Sequence, residues 1–173
     1  MADTVTLGPL LDSDLPVLFK WINQPEQVHW NSAYRPVSET DHRAWFEAVR
    51  KRDDVAIFAI RTVLDNRLIG SCQLRHIDPV HRNAELQIRI GEVDERGRGN
   101  GTEAVRQLLR FGFRDLNLRR VYLNVFANNA TAIRTYEKAG FQREGLLREA
   151  AHIDGRYVDV VVMGILRPEF HEA

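Results

Sequence analysis

The stretch of sequence that decides the fold is DERGRGNGTEAVRQLL, residues 94–109. Three glycines and two arginines fall within positions 96–101, and a helix-forming sequence follows directly. Glycine lets the backbone approach a ligand closely, and the N–H groups that open a helix have no partner within the helix and attract an anion. The stretch therefore predicts a glycine-rich turn that holds an anionic group at the start of a helix.

Two known phosphate-binding loops can be compared with this turn. Residues 99–104, GNGTEA, satisfy the dinucleotide pattern G-x-G-x-x-A, but that pattern follows the first strand directly and needs an acidic residue near the end of the next one. Here a polar segment precedes the turn, and the next strand pattern ends in NVFANN, residues 124–129. A P-loop is excluded because no Lys-Ser or Lys-Thr pair follows the glycines. An ordinary glycine-rich turn with a helix cap remains the alternative.

The sequence around the turn alternates between strand and helix patterns. Residues 84–90, AELQIRI, alternate polar and apolar side chains as a half-buried strand does, and Gly112 within the helix after the turn predicts close packing on a sheet. Further strands are predicted at 4–10, 55–62, 67–77 and 119–126. A terminal hairpin is predicted over 146–166, with its turn at Asp154-Gly155. Helices are predicted at 12–23, from Ser38, and at 130–140. This order predicts an α/β fold in which helices cover the faces of a mixed sheet.

The composition narrows the class of protein. A chain of 173 residues with 44% hydrophobic content and no Pro- or Ser-rich linker is expected to form one domain over residues 1–173. Acidic and basic residues balance at 24 each, and no basic stripe is interleaved with aromatics, so we expect no nucleic-acid partner. The lack of a long apolar run or a signal-peptide pattern predicts a cytoplasmic protein that does not contact membranes.

The cysteine and histidine residues indicate neither a disulfide nor a metal site. Cys72 is the single cysteine and lies in an apolar strand pattern, so we expect a packed core thiol rather than a nucleophile. The six histidines show no ligand spacing, and no thiol or acidic cluster accompanies them. We therefore expect no bound metal.

Two motifs together resemble the signature regions of the GNAT acyltransferase superfamily. The first is Arg96-x-x-Gly99-x-Gly101 at the start of a helix, and the second runs from Asn129 through AIRTYEKAGF, residues 132–141. The resemblance covers residues 55–168 and looks closest to the ribosomal-protein and polyamine acetyltransferase branch. The N-terminal quarter is similar only in outline.

This resemblance implies a GNAT fold with about seven strands in a mixed sheet, about four helices and two splayed strands that bind acyl-CoA. It implies acetyl-CoA as the acetyl donor, with its pyrophosphate at the glycine turn and its pantetheine arm paired to a strand edge. The cofactor-binding residues that it implies are Arg89, Ile90 and Gly91 on the strand, Arg96, Gly97, Arg98, Gly99, Asn100, Gly101 and Thr102 in the turn, and Asn129 and Lys138 around the second motif.

Two residues are candidates for proton transfer. In the family a tyrosine near the thioester sulfur protonates the departing thiolate, and Tyr136 matches it; packing beside Phe141 is the alternative. The acceptor amine has to lose a proton before it attacks, and Glu85 lies on the strand that also carries the cofactor-pairing residues. Glu85 is therefore a candidate general base, directly or through water, unless it is a solvated residue or one that only binds a cationic substrate.

The segment QPEQVHWNSAYRPVSETDH, residues 24–42, is expected to shape the acceptor site. Trp30, Tyr34 and Arg35 are the candidate substrate-binding residues, and they suit a sugar ring, a nucleotide or an anionic group. We therefore expect an amino sugar or its nucleotide conjugate as the acceptor. A polyamine, a protein N-terminus and a non-catalytic acyl-CoA sensor are the alternatives, and a homodimer or higher homo-oligomer is compatible with the resemblance.

Overall fold

The structure, a computed structural model, describes residues 4–30 and 32–171. Within them the strands are β1 Val5–Gly8, β2 Ala56–Thr62, β3 Leu68–Asp78, β4 Asn83–Ile90, β5 Arg120–Phe126, β6 Gln142–Ile153 and β7 Arg156–Leu166. The α-helices are α1 Leu15–Ile22, α2 Pro25–Val28, α3 Glu39–Val49, α4 Asn100–Arg110 and α5 Ala130–Lys138. No helix in the described ranges is long and apolar enough to cross a membrane.

The strands form one sheet in the order β1-β2-β3-β4-β5-β7-β6. Neighbouring strands are antiparallel except for β4 and β5, which run parallel. The predicted mixed α/β sheet is therefore confirmed, and so is the terminal hairpin. The hairpin turns at Asp154 and Gly155, whose φ angles of 50° and 73° are those of a type I′ turn.

The parallel pair β4 and β5 is joined only at its beginning. The register pairs Asn83 with Arg120, Ala84 with Val121 and Glu85 with Tyr122. Beyond Glu85 the two strands continue for several residues without pairing, so a wedge-shaped gap opens between 86–90 on β4 and 123–126 on β5. This gap is the splay that the sequence resemblance predicts.

The helix α4 packs on the face of the sheet that carries the main core. Its buried side chains include Val105, Leu108 and Leu109, which belong to the same cluster as Cys72 of β3. After α4 the chain makes a π-helical turn over 111–115, where a Cβ on Gly112 would lie 3.0 Å from Cδ1 of Leu74. The predicted close approach of helix to sheet at this glycine is confirmed, and Cys72 is a core thiol.

The opposite face is covered by α1 and α3. Leu18 and Trp21 of α1 pack with Ala59 and Leu68 in a second, smaller cluster. The predicted start of α3 at Ser38 is also confirmed, because the Ser38 hydroxyl accepts a hydrogen bond from the Asp41 N–H at 3.0 Å.

Most element boundaries differ from the sequence prediction by a few residues, and three of the differences concern α1, α2 and β6. A helical turn over 12–14 precedes α1, which begins at Leu15, and Asp14 at this boundary forms a buried ion pair with Arg61 of β2. The short helix α2 has no apolar period that would reveal it. Strand β6 begins at Gln142 rather than at Leu146, and its early residues are exposed, so they lack the alternation that marks a half-buried strand.

Candidate active site

The glycine turn brings the chain into α4 with two residues in left-handed conformations. Gly97 has a φ of 74° and Gly99, which caps α4, a φ of 89°. A Cβ at either position would meet no atom within 4 Å, so the space in front of this backbone is open. The N–H groups of the first turn of α4 therefore form a cradle for an anion at the positive end of the helix dipole.

The cradle is held from behind by a buried polar network. Asn100 donates to the carbonyl oxygen and to Oε2 of Glu95, at 3.2 and 2.9 Å, and accepts from the Thr4 hydroxyl at 3.0 Å. Arg67, in the turn between β2 and β3, pairs with the other oxygen of Glu95. The Asn100 side chain is thus committed to the protein, and only its backbone N–H is free to face a ligand.

The two arginines of the turn, Arg96 and Arg98, are exposed. The Nε of Arg96 donates to the carbonyl oxygen of Ile90 at 3.0 Å, at the end of β4. Both guanidinium groups add positive charge beside the cradle, as expected for residues near a pyrophosphate.

The edge of β4 that borders the gap carries free backbone groups. The Gly91 N–H donates to Ile69 of β3 at 2.8 Å, and because neighbouring residues of a strand alternate, Ile90 directs its N–H away from β3 toward the gap. Gly91 lies directly beneath Trp21, since a Cβ there would come within 2.1 Å of the indole ring. This glycine positions α1 against the end of β4.

Helix α5 borders the other side of the gap. The side chain of Asn129 caps it by accepting from the Ala132 N–H at 3.1 Å, while Lys138 is exposed at its far end. Thr135 faces the cradle, because a Cβ on Gly101 would lie 3.7 Å from its methyl group. The two signature regions of the sequence thus meet in space.

Tyr136 is buried on the inner side of α5. Its ring makes an edge contact with Phe141 at a centroid distance of 5.9 Å. Burial raises the pKa of the Tyr136 phenol to about 12, so the hydroxyl stays protonated at neutral pH. Tyr136 therefore has the protonation state that a proton donor needs, and it also makes the packing contact of the alternative interpretation.

Glu85 lies at the closed end of the gap and is buried, not solvated as a strand-face residue would be. Both of its carboxylate oxygens accept from Arg75 of β3, and Nδ1 of His76 lies 3.3 Å from Oε2. The candidate base thus lies on the strand that borders the gap, but its carboxylate is already paired with the guanidinium group of Arg75.

A pocket of about 390 Å³ lies between α1, α3 and the sheet, and we call it the acceptor pocket. It is mainly apolar, with a small set of polar groups. Its lining consists of Leu18, Trp21, Ile22, Val37, His42, Trp45, Ile57, Ser71, Cys72, Gln73, Gln87, Ile88 and Arg89. The rings of His42 and Trp45 stack at 5.3 Å, and burial lowers the pKa of His42, which favours the neutral imidazole.

The predicted substrate-binding residues do not line this pocket. Trp30 and Arg35 are exposed, and Tyr34 makes an edge contact with His29. Two other tryptophans, Trp21 and Trp45, line it, and Trp21 also packs in the smaller core cluster. The alternation of polar residues along 84–90 places Gln87 and Arg89 on one face of a strand, so the sequence pattern indicates this polar part of the lining.

The comparison with protein families agrees with the geometry of the gap and cradle. Residues 4–142 match the acetyltransferase (GNAT) domain. The chain is a GNAT acetyltransferase. It is therefore an acetyl-CoA-dependent N-acetyltransferase, as the two motifs predict.

Related N-acetyltransferases cover this GNAT domain to different extents. The spermidine N(1)-acetyltransferase of Vibrio cholerae is 40% identical over 103 residues, which are 60% of this chain and 59% of the relative. An uncharacterized N-acetyltransferase of Bacillus licheniformis is 34% identical over 97% of this chain and 96% of its own. A crystal structure of the spermidine N-acetyltransferase from Vibrio cholerae with CoA and spermine has a TM-score of 0.91 at 30% identity, over 97% of this chain and 98% of that one.

Proposed function

We propose that the chain acetylates the primary amine of a small molecule that binds in the acceptor pocket. The observation that carries this proposal is that β4 belongs to both halves of the site. Gln87, Ile88 and Arg89 line the pocket, and the same strand segment is the unpaired edge of the gap. An amine in the pocket and a donor in the gap would therefore meet at one strand, which satisfies the positioning that a two-substrate transfer requires.

The reaction needs a proton donor for the leaving sulfur and a proton acceptor for the substrate ammonium group, and the chain has a candidate for each. Acetyl-CoA supplies an activated acetyl group when it is bound. The phenol of Tyr136 holds its proton over the whole neutral range, and we propose it as the proton donor to the leaving sulfur. We propose Glu85 as the residue that takes up the proton of the substrate ammonium group, with a water molecule between them, because its oxygens are already paired with Arg75.

The relatives support a polyamine as the acceptor better than the amino sugar that the sequence suggests. Spermidine is the acceptor named for the protein of Vibrio cholerae and for a relative from Escherichia coli, which is 30% identical over 92% of this chain. Polyamines are therefore the first amines to test. The described pocket lining contains no Asp or Glu, so the distal ammonium groups of a polyamine would have to lie outside this pocket.

The experiment is a CoA-release assay with a panel of amines at fixed acetyl-CoA concentration. The panel contains spermidine, spermine, amino sugars with and without a nucleotide, and peptides with free N-termini. Acetylation of at least one small amine, identified by mass spectrometry, is expected. If acetyl-CoA binds tightly but no amine is acetylated, the proposal is wrong and the acyl-CoA sensor gains support.

A further inference from the structure

The guanidinium group of Arg89 has an unusual environment. It lines the acceptor pocket, and its Nε is buried without a hydrogen-bond partner. No hydrogen bond or ion pair joins the side chain to any residue within 4–30 or 32–171. The other inward-facing arginines of the sheet differ, since Arg61 pairs with Asp14 and Arg75 pairs with Glu85.

Arg89 is only partly buried, but its Nε is withdrawn from water without a hydrogen-bond partner, and this is costly because the protein does not replace the water that the group has lost. Burial, and to a smaller extent the charge of Arg96, lowers the pKa of Arg89. A guanidinium group nevertheless stays protonated in proteins. The cost is therefore present in the free protein and would be relieved by an anion that enters the pocket.

The rest of the pocket has nothing that could serve as this anion. Its polar lining consists of hydroxyl, amide and imidazole groups from Ser71, Gln73, Gln87 and His42. The cradle at 97–102 is a separate feature that contributes no residue to the described lining. Arg96, one of the two exposed arginines beside the cradle, donates to the carbonyl oxygen of Ile90. Arg89 thus faces the acceptor side of the site.

We infer that Arg89 binds a carboxylate or phosphate group carried by the acceptor amine. This inference rests on the proposed function, and it departs from the polyamine named for the relatives, because the described pocket lining offers a cation and no Asp or Glu. The guanidinium fork matches either anion with two parallel hydrogen bonds. Gln73 and Gln87, which are bonded to each other at 2.7 Å on the same strand face, can donate further hydrogen bonds. A diamine of equal length would instead bring a second ammonium group toward Arg89 and be repelled.

The test uses acceptors that differ only at the end remote from the reacting amine. The first set is 5-aminopentanoate, pentylamine and 1,5-diaminopentane, and the second is glucosamine with and without a 6-phosphate. For the parent, kcat/KM is expected to be highest for the anionic member of each set. In Arg89→Gln the ratio of kcat/KM for the anionic acceptor to kcat/KM for its uncharged partner should fall by about tenfold to a hundredfold, the range for a charge-assisted hydrogen bond, and this ratio cancels any effect of the variant that both acceptors share.

Two further variants make the result specific. Arg89→Lys keeps the charge but loses the fork, so it should recover only part of the preference. Arg114→Gln removes an exposed arginine on the far side of the sheet and should behave as the parent. Equal kcat/KM of the parent for all three linear amines would overturn the inference.

Calorimetry separates the possible sources of the anion. If Arg89→Gln weakens acetyl-CoA binding and leaves the acceptor preference intact, the anion belongs to the donor and the inference is wrong. Binding of 5-aminopentanoate to the CoA-loaded protein gives a readout that needs no turnover. Arg89-dependent binding without acetylation of any amine would support the inference while the proposed function fails.

Discussion

Arg75 donates to both carboxylate oxygens of Glu85, with Nε–Oε2 and Nη2–Oε1 distances of 3.1 and 2.9 Å. The pair spans β3 and β4 at the point where β4 and β5 part, so it fixes the closed end of the gap. A carboxylate held in this way has a structural role whether or not it also accepts a proton. The two roles can be separated by experiment.

Glu85→Gln is expected to lower the free energy of unfolding by about 1–3 kcal/mol, because it leaves the partly buried guanidinium of Arg75 without its counter-charge. If Glu85 is also the general base, the pH–rate profile should move toward higher pH, where solution supplies the free amine. Denaturant unfolding and kcat/KM between pH 6 and 9 provide the two measurements. A destabilised variant with the parent pH profile would show that the base assignment is wrong.

The turn at the start of α4 offers a matched pair of glycines. Gly99 and Gly155 both have positive φ angles and open space at the Cβ position, but only Gly99 belongs to the cradle. Replacing either with Ala should cost about 1–2 kcal/mol of stability, from the left-handed conformation. Only Gly99→Ala should weaken acetyl-CoA binding, as measured by calorimetry. Equal acetyl-CoA affinities of the two variants would show that the pyrophosphate does not bind at this turn.

A side chain at Gly101 provides a second test of the cradle. An added Cβ makes ordinary contact with Thr135, so Gly101→Ala should fold and bind normally. Gly101→Val adds two methyl groups between α4 and α5 and is expected to lower acetyl-CoA affinity without unfolding the chain. Unchanged affinity in a folded Gly101→Val protein would argue against donor binding there.

Tyr136→Phe keeps the contact with Phe141 and removes the proton. The rate should fall by about 10²-fold if loss of the thiolate limits turnover, with melting temperature and acetyl-CoA affinity nearly unchanged. Because the pKa of Tyr136 is about 12, its hydroxyl is protonated throughout pH 6 to 9, so the shape of the pH–rate profile should not change. A variant that turns over at the parent rate with every accepted amine would identify Tyr136 as a packing residue.

Trp45 and Trp30 test which surface receives the acceptor. They are similarly exposed, at 41% and 48%, but only Trp45 lines the acceptor pocket. Trp45→Ala should raise the KM for the amine by about tenfold, for the loss of one aromatic contact, and leave the KM for acetyl-CoA unchanged. A comparable effect of Trp30→Ala or Tyr34→Ala would support the sequence prediction instead.

The parts of the molecule that the sequence predicts are those set by local chemistry. The glycine turn, the Ser38 cap and the Asp154-Gly155 turn each depend on residues within a few positions of one another. The family resemblance implies that Asn129 and Lys138 bind the same cofactor as the glycine turn, because it carries long-range information that a local pattern lacks. Spacing alone would have left the glycine turn unassigned.

The Arg75–Glu85 pair and the pocket lining are harder to predict, because they depend on register and on helix rotation. Arg75 and Glu85 meet only because the β3–β4 hairpin aligns them, and a shift of one residue would separate them. Trp45 lies in an amphipathic helix, where an apolar period indicates burial but not which side chains border a cavity. Trp30 and Tyr34 lie outside a clear helical period, and they are not among the residues that line the pocket.

The gap between β4 and β5 also affects the tendency of the chain to aggregate when no donor is bound. Unpaired N–H and C=O groups in the middle of a sheet are an edge that another chain can join, with the aggregation risk of any exposed strand. Arg96 covers one such group by binding the carbonyl of Ile90, and a bound donor would cover more. The loaded protein should therefore be the form that resists aggregation, and its resistance to heat should grow with acetyl-CoA concentration by mass action. The cellular supply of the donor would then set the lifetime of the enzyme as well as its rate.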